Sequence, residues 1–117
     1  YLDHEGTTWE TMYKVEPTAG LSADSDTSLL LGGECAMWTE RVDSSVLENT
    51  IWPRAASVSE ILWTPIVKHD LVRAEARLET FRCILLTRGI AAAPVNNAQA
   101  REGPPEPGSC YDQRRRR

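Results

Sequence analysis

At 117 residues the chain has room for one small domain, and with 41% hydrophobic and 26% charged residues its composition is globular rather than disordered. A net charge of −4 argues against nucleic acid as a partner, because neutralising phosphates needs a basic face. The one basic cluster, Arg114 to Arg117, reads as a solvated tail, and no apolar run approaches the ~20 residues of a membrane span.

The chain opens on Tyr1-Leu2-Asp3 rather than on Met, without a leader-like stretch, and reads as a piece of a longer polypeptide. Thr7-Thr8-Trp9-Glu10 is expected to enter a short helical turn, with Thr7 or Thr8 as its N-cap and Pro17 as its stop. Residues 18–27 form a polar connector with turn chemistry. Leu29 to Leu31 are a short continuous apolar run, the pattern of a strand buried on both faces. Gly32 and Gly33 then let the backbone bend or approach a neighbour closely.

Pro53 is expected to start a helix that runs to about Trp63 and is closed by Pro65. Asp70 caps a longer helix with an apolar face of Leu71, Ala74, Leu78, Phe81 and Leu85, and Gly89 ends it. Residues 94–117 carry Pro94, Pro104, Pro105 and Pro107 and read as an irregular tail with a basic end. One strand makes no sheet, so the partners of Leu29 to Leu31 must come from elsewhere. The three cysteines, Cys35, Cys83 and Cys110, cannot all pair within one chain. No metal-ligand spacing is present, and His4 and His69 have no partner pattern.

An ordered series of short motifs adds to this reading. It runs through Tyr1-Leu2-Asp3, Trp9, Tyr13, Glu16-Pro17, Gly32-Gly33-Glu34, Met37-Trp38-x-Glu40-x-Val42-Asp43 and Trp52-Pro53-Arg54-Ala55. It continues through Glu60-x-Leu62-Trp63, Arg77-Leu78, Phe81-Arg82-Cys83, Arg88-Gly89-Ile90 and Pro107-Gly108-Ser109-Cys110. Together these resemble the C-terminal end of the family 20 glycoside hydrolases, the β-N-acetylhexosaminidases. The resemblance implies an α/β fold: the end of a (β/α)8 TIM barrel plus a C-terminal helix. Residues 1–93 would belong to the barrel and 94–117 to a disulfide-stapled tail. Tyr1 to Asp3 would end the seventh strand, Leu29 to Glu34 would form the eighth, and the helix from Pro53 would be the eighth barrel helix. Active sites of such barrels lie at the C-terminal ends of the strands.

The activity implied is removal of terminal N-acetylhexosamine from β-glycosides by retaining catalysis in which the sugar's own acetamide attacks the anomeric carbon, an exception to the two-carboxylate scheme. The family's Asp-Glu pair, which orients the acetamide and protonates the leaving oxygen, has no counterpart here. Tyr1 resembles the tyrosine that holds the acetamide carbonyl. Asp3 and Glu40 resemble the carboxylates that accept hydrogen bonds from sugar hydroxyls. Trp38 resembles the plate under the sugar ring. Taken singly, Trp38 reads as a core residue, Asp3 and Glu40 as solvated charges, and Tyr1 as a frayed end. Trp9, Tyr13, Trp52 and Trp63 are expected to pack, and Glu34 to pair with Arg54 behind the site. The flanking motifs and the secretory setting imply that Cys83 pairs with Cys110 and leaves Cys35 free.

No cofactor is implied. The partners implied are N-acetylglucosamine- or N-acetylgalactosamine-containing glycans, the rest of the barrel, and a second subunit in a homodimer. The location implied is lysosomal or extracellular. Two other readings stay open: a truncated or degenerate paralogue without activity, and a small disulfide-stapled interaction domain.

Overall fold

The computed structural model describes residues 1–2, 6–95 and 110. The chain is a set of helices joined by turns and one long extended strip. Helix α1 spans Trp9–Tyr13. The Thr8 hydroxyl caps it by accepting from the Thr11 N–H at 3.3 Å. Trp9, Met12 and Tyr13, spaced to share one side of the helix, are all buried. The helix ends at Tyr13, ahead of the expected stop at Pro17. A residue before proline disfavours the helical region, and the Glu16 carboxylate there is engaged in a turn, accepting from the Thr18 N–H at 3.0 Å and hydroxyl at 2.6 Å.

The expected strand from Leu29 to Glu34 does not form. Thr27–Leu29 is instead a 3-10 turn, capped by the Asp26 carboxylate accepting from the Ser28 N–H. Among the described residues no β-strand occurs. The reason is physical: a strand is defined by its neighbours, and none of the described segments lies alongside this one to complete a ladder. What remains is a strip of backbone with Leu29 77% and Leu31 96% exposed, the opposite of a strand buried on both faces. Gly33 fits its expected role, since a Cβ there would sit 3.3 Å from the Leu62 side chain, so the strip crosses close over the following helices.

Helix α2, Leu47–Ile51, was not anticipated. It follows a turn in which the Asp43 carboxylate accepts from the Ser45 N–H at 2.8 Å and its hydroxyl at 2.5 Å. Helix α3, Arg54–Trp63, begins directly after Pro53, joined to Trp52 by a cis peptide bond, and stops before Pro65. Helix α4, Leu71–Thr87, is capped by Asp70, whose carboxylate accepts from the Arg73 N–H at 3.1 Å. Its apolar face is as expected: Ala74, Leu78 and Leu85 are buried, and Phe81 meets Trp52 edge to face with ring centres 6.0 Å apart. Gly89, at φ +84°, ends it. The Gly89 N–H donates to the Leu86 carbonyl and the Ile90 N–H to the Leu85 carbonyl, the paired bonds that satisfy a helix's last acceptors.

The core lies where α1, α3 and α4 meet and is built from Trp9, Tyr13, Ile61, Ala74, Leu78 and Val95. Beyond α4 the chain turns back. The Ala93 N–H donates to the Trp52 carbonyl at 2.9 Å, and the Ala91 N–H to the Glu48 carboxylate at 2.7 Å. Cys83 and Cys110 form a disulfide with Cα atoms 5.1 Å apart, and Cys35 is a free, half-buried thiol. Trp63 is 89% exposed rather than packed. The tail expected over 94–117 lies outside the described residues except for Pro94, Val95 and Cys110.

Candidate functional site

The two ends of the candidate site meet through one backbone hydrogen bond. The Leu2 N–H donates to the Ala36 carbonyl at 2.8 Å, which sets the residue before Leu2 beside the strip two residues past Ala36. As a result the rings of Tyr1 and Trp38 have centres 6.4 Å apart and are tilted by 50°. Both are open to solvent, Tyr1 at 65% and Trp38 at 53%. Glu40 is exposed on the same strip. Asp3 and His4 lie outside the described residues. Asp43 is committed to the turn before α2 and is turned to structure, not to the Tyr1–Trp38 edge.

Behind this edge stands Arg54, the first residue of α3. Its guanidinium donates to the carbonyls of Leu2 and Thr7, the latter at 2.9 Å, and to the Thr50 carbonyl from Nε at 3.1 Å. Glu34 is exposed, and the ion pair expected between it and Arg54 is not formed. The physical reason is that a guanidinium has five donors in a fixed fork and satisfies several backbone carbonyls at once. The carbonyls of Thr50, at the end of α2, and of Leu2 and Thr7 offer such acceptors, whereas Glu34 is solvated and has no need of a partner.

A second polar cluster, between α1, α3 and α4, was not anticipated. The Tyr13 hydroxyl donates to Glu60 at 2.8 Å, and Arg77 donates to both Glu60 oxygens, from Nε at 3.0 Å. The Arg77 guanidinium, with help from the Tyr13 hydroxyl, holds the Glu60 carboxyl below the usual carboxylate range, against the opposing effect of burial. Burial first, then the bond to Glu60, push the Tyr13 hydroxyl up, so it stays a donor. His69 stacks at a tilt on Tyr13, ring centres 5.6 Å apart, and its Nε2 lies 2.9 Å from the Thr64 carbonyl. The members are separated by 47 and 17 residues in sequence, so no local spacing betrays them. An open cleft of about 350 Å³ lies beside this cluster, lined by Trp52, Phe81, Leu78 and the Glu60–Arg77 pair among others. It shares no residue with the Tyr1–Trp38 edge. Among the described residues no group of three His, Cys, Asp or Glu gathers as a metal site, and no helix is long and apolar enough to cross a membrane.

The family model for the catalytic domain of glycosyl hydrolase family 20 matches residues 2–66. The chain is 46% identical over 117 residues to Beta-hexosaminidase 1 of Arabidopsis thaliana, a match covering 97% of this chain and 22% of the relative. It is 42% identical over 112 residues to Beta-hexosaminidase subunit B1 of Dictyostelium discoideum, covering 96% of this chain and 19% of the relative. To Beta-hexosaminidase subunit alpha of Rattus norvegicus it is 44% identical over 91 residues, covering 78% of this chain and 17% of the relative. The chain therefore spans about one-fifth of the length of these relatives.

Proposed function

Because the chain belongs to glycosyl hydrolase family 20, whose catalytic domain is a TIM barrel, we propose that it supplies the sugar-binding part of a β-N-acetylhexosaminidase. In this reading Tyr1 to Asp3 end the seventh barrel strand and Leu29 to Glu34 pair as the eighth once the neighbouring strands are present. The exposure of Leu29 and Leu31 supports this, because apolar side chains in that number call for a cover. Helix α3 is then the eighth barrel helix, and α4 follows it.

The substrate is a terminal, β-linked N-acetylglucosamine or N-acetylgalactosamine. Trp38 offers a broad apolar face to the sugar ring. The carboxylates of Asp3 and Glu40 accept hydrogen bonds from its hydroxyls. The Tyr1 hydroxyl donates to the acetamide carbonyl and so fixes the direction from which that oxygen approaches the anomeric carbon. The residues that protonate the leaving oxygen and orient the acetamide from its other side are supplied from outside these 117 residues. The Cys83–Cys110 disulfide supports a place in the lysosome or outside the cell, since such bonds persist in oxidising compartments.

The observation that carries the reading is the Leu2–Ala36 hydrogen bond, which brings Tyr1 and Trp38 to one edge despite their distance in sequence. The test is release of a chromophore from an aryl β-N-acetylglucosaminide by the full-length protein bearing these residues. Turnover is expected, with kcat/KM lowered on the order of 10²-fold by Trp38→Ala through lost positioning. Absence of turnover by the unsubstituted protein, on both the gluco and the galacto substrate, overturns the reading.

A further inference from the structure

Among the described residues, the guanidinium of Arg54 ties the carbonyls of Leu2 and Thr7 to that of Thr50, at the end of α2 and far from them in sequence. One carbonyl it binds is that of Leu2, which is 2% exposed and adjoins Tyr1. A second is that of Thr7, where the chain enters the cap of α1. The third is that of Thr50, in the last turn of α2, where helical carbonyls have no partner of their own. Leu2 is thus held from both sides of its backbone: its N–H on the strip at Ala36, its carbonyl on Arg54. The peptide that follows Tyr1 has little freedom left, although the Tyr1 side chain itself is 65% exposed.

We propose that Arg54 is a positioning residue of the sugar site, acting through Leu2 to set Tyr1 against Trp38. The assignment rests on the functional reading above. Arg54 is at the start of α3, and α3 is anchored in the core by Ser57 and Ile61. The arginine therefore transmits the position of a rigid helix to the backbone beside an exposed tyrosine. Arginine suits the task better than lysine. Its planar fork serves several carbonyls at once, whereas an ammonium is a point donor on a flexible stem.

A purely structural arginine would lower activity too, so the deciding measurement is a double-mutant cycle in the full-length protein. Arg54→Gln, Tyr1→Phe and the pair are assayed on an aryl β-N-acetylglucosaminide. Arg54→Gln alone is expected to lower kcat/KM on the order of 10²-fold, mainly in kcat, because the Tyr1 contact sets the geometry of acetamide attack. In the Tyr1→Phe background the same change is expected to lower it less than about tenfold, because the group it positions is already gone. Arg54→Lys is expected to fall between, and it carries the cycle if Arg54→Gln does not fold. Arg73→Ala, a change at an exposed ion pair on α4, serves as the control with activity unchanged. Equal losses in both backgrounds, with the unsubstituted protein active, overturn the role of Arg54 alone. An inactive unsubstituted protein overturns the functional reading and this assignment together.

Discussion

Where α1, α3 and α4 meet, each element supplies what the next one needs. Trp9 and Tyr13 bury against Ile61, Ala74 and Leu78, and the polar ends close on one another through Tyr13, Glu60 and Arg77. Along the strip from Leu29 to Glu40 the situation is reversed. Its leucines and Trp38 face solvent, and it meets the Tyr1 segment through the Leu2–Ala36 bond. The helical side is packed by its own residues and is stable for that reason. The strip has less packing behind it, and its bond to Leu2 ties it to the carbonyl that Arg54 holds. In the proposed function the site residues come from the exposed, weakly packed side, and Arg54 would lend them the order of the packed one.

The sharpest way to break the contrast is Leu78→Ala. Leu78 is 3% exposed at the centre of the helical core, and truncation there is expected to lower stability by about 2–5 kcal/mol, the usual range for emptying a buried leucine site. Chemical denaturation of the full-length protein measures it. A loss below about 1 kcal/mol would show that this packing is not what holds the helices together.

Next in size is the Cys83–Cys110 bond, which closes a separation of 27 residues. Replacing both cysteines with serine is expected to lower stability by about 3–4 kcal/mol, from the loop entropy returned to the unfolded chain. Peptide mapping without reduction first establishes the pairing, and a bridge to Cys35 would refute it. Thermal unfolding of the double variant then gives the size of the effect.

These two regions also differ in how far the sequence announced them. Helices α3 and α4 were legible because their limits are local: Pro53 and Pro65 bracket one, Asp70 and Gly89 the other, and each works through its nearest neighbours. The eighth strand is absent among the described residues because strand character is a property of pairs, and Leu29 to Leu31 carry only one half of the pair. Helix α2 escaped notice because Asn49, Thr50 and Ile51 are weak helix formers. Tyr1, Trp38 and Glu40 stood out by resemblance to a family, and no spacing rule would have chosen them. For Arg54 the sequence suggests the wrong partner. Matching it to Glu34 by charge overlooked the backbone carbonyls, which a sequence never displays as acceptors.

The Glu60 cluster sharpens the contrast through pH. Its carboxyl is held below its ordinary value of 4.5, chiefly by Arg77. A depressed carboxylate contributes stability that is fully present above the unfolded value and is lost as pH falls through the folded one. Glu60→Gln is therefore expected to lower stability by about 1 kcal/mol near neutrality, since Arg77 is half exposed and the pair is screened. The difference from the unsubstituted protein should hold from about pH 8 to 5 and shrink as pH drops below about 4.5. Denaturant midpoints across that range measure it, and a gap that widens in acid would reverse the sign and remove Arg77 as the cause.

The smallest stability effect is expected at a residue of the proposed sugar site. Trp38 is 53% exposed, and its ring meets Tyr1 at 6.4 Å rather than sitting in the core. Trp38→Ala should therefore change stability by less than about 0.5 kcal/mol, as surface changes generally do. The same substitution lowers kcat/KM on the order of 10²-fold if the indole is the plate under the sugar. The two numbers must be read together, because each alone is ambiguous. A large loss of activity with little loss of stability places Trp38 on the side of the molecule that binds. A loss of stability near that of Leu78→Ala would place it instead among the packed residues. In that case the strip is covered in the full-length protein, and the Tyr1–Trp38 edge is part of its core rather than its binding face.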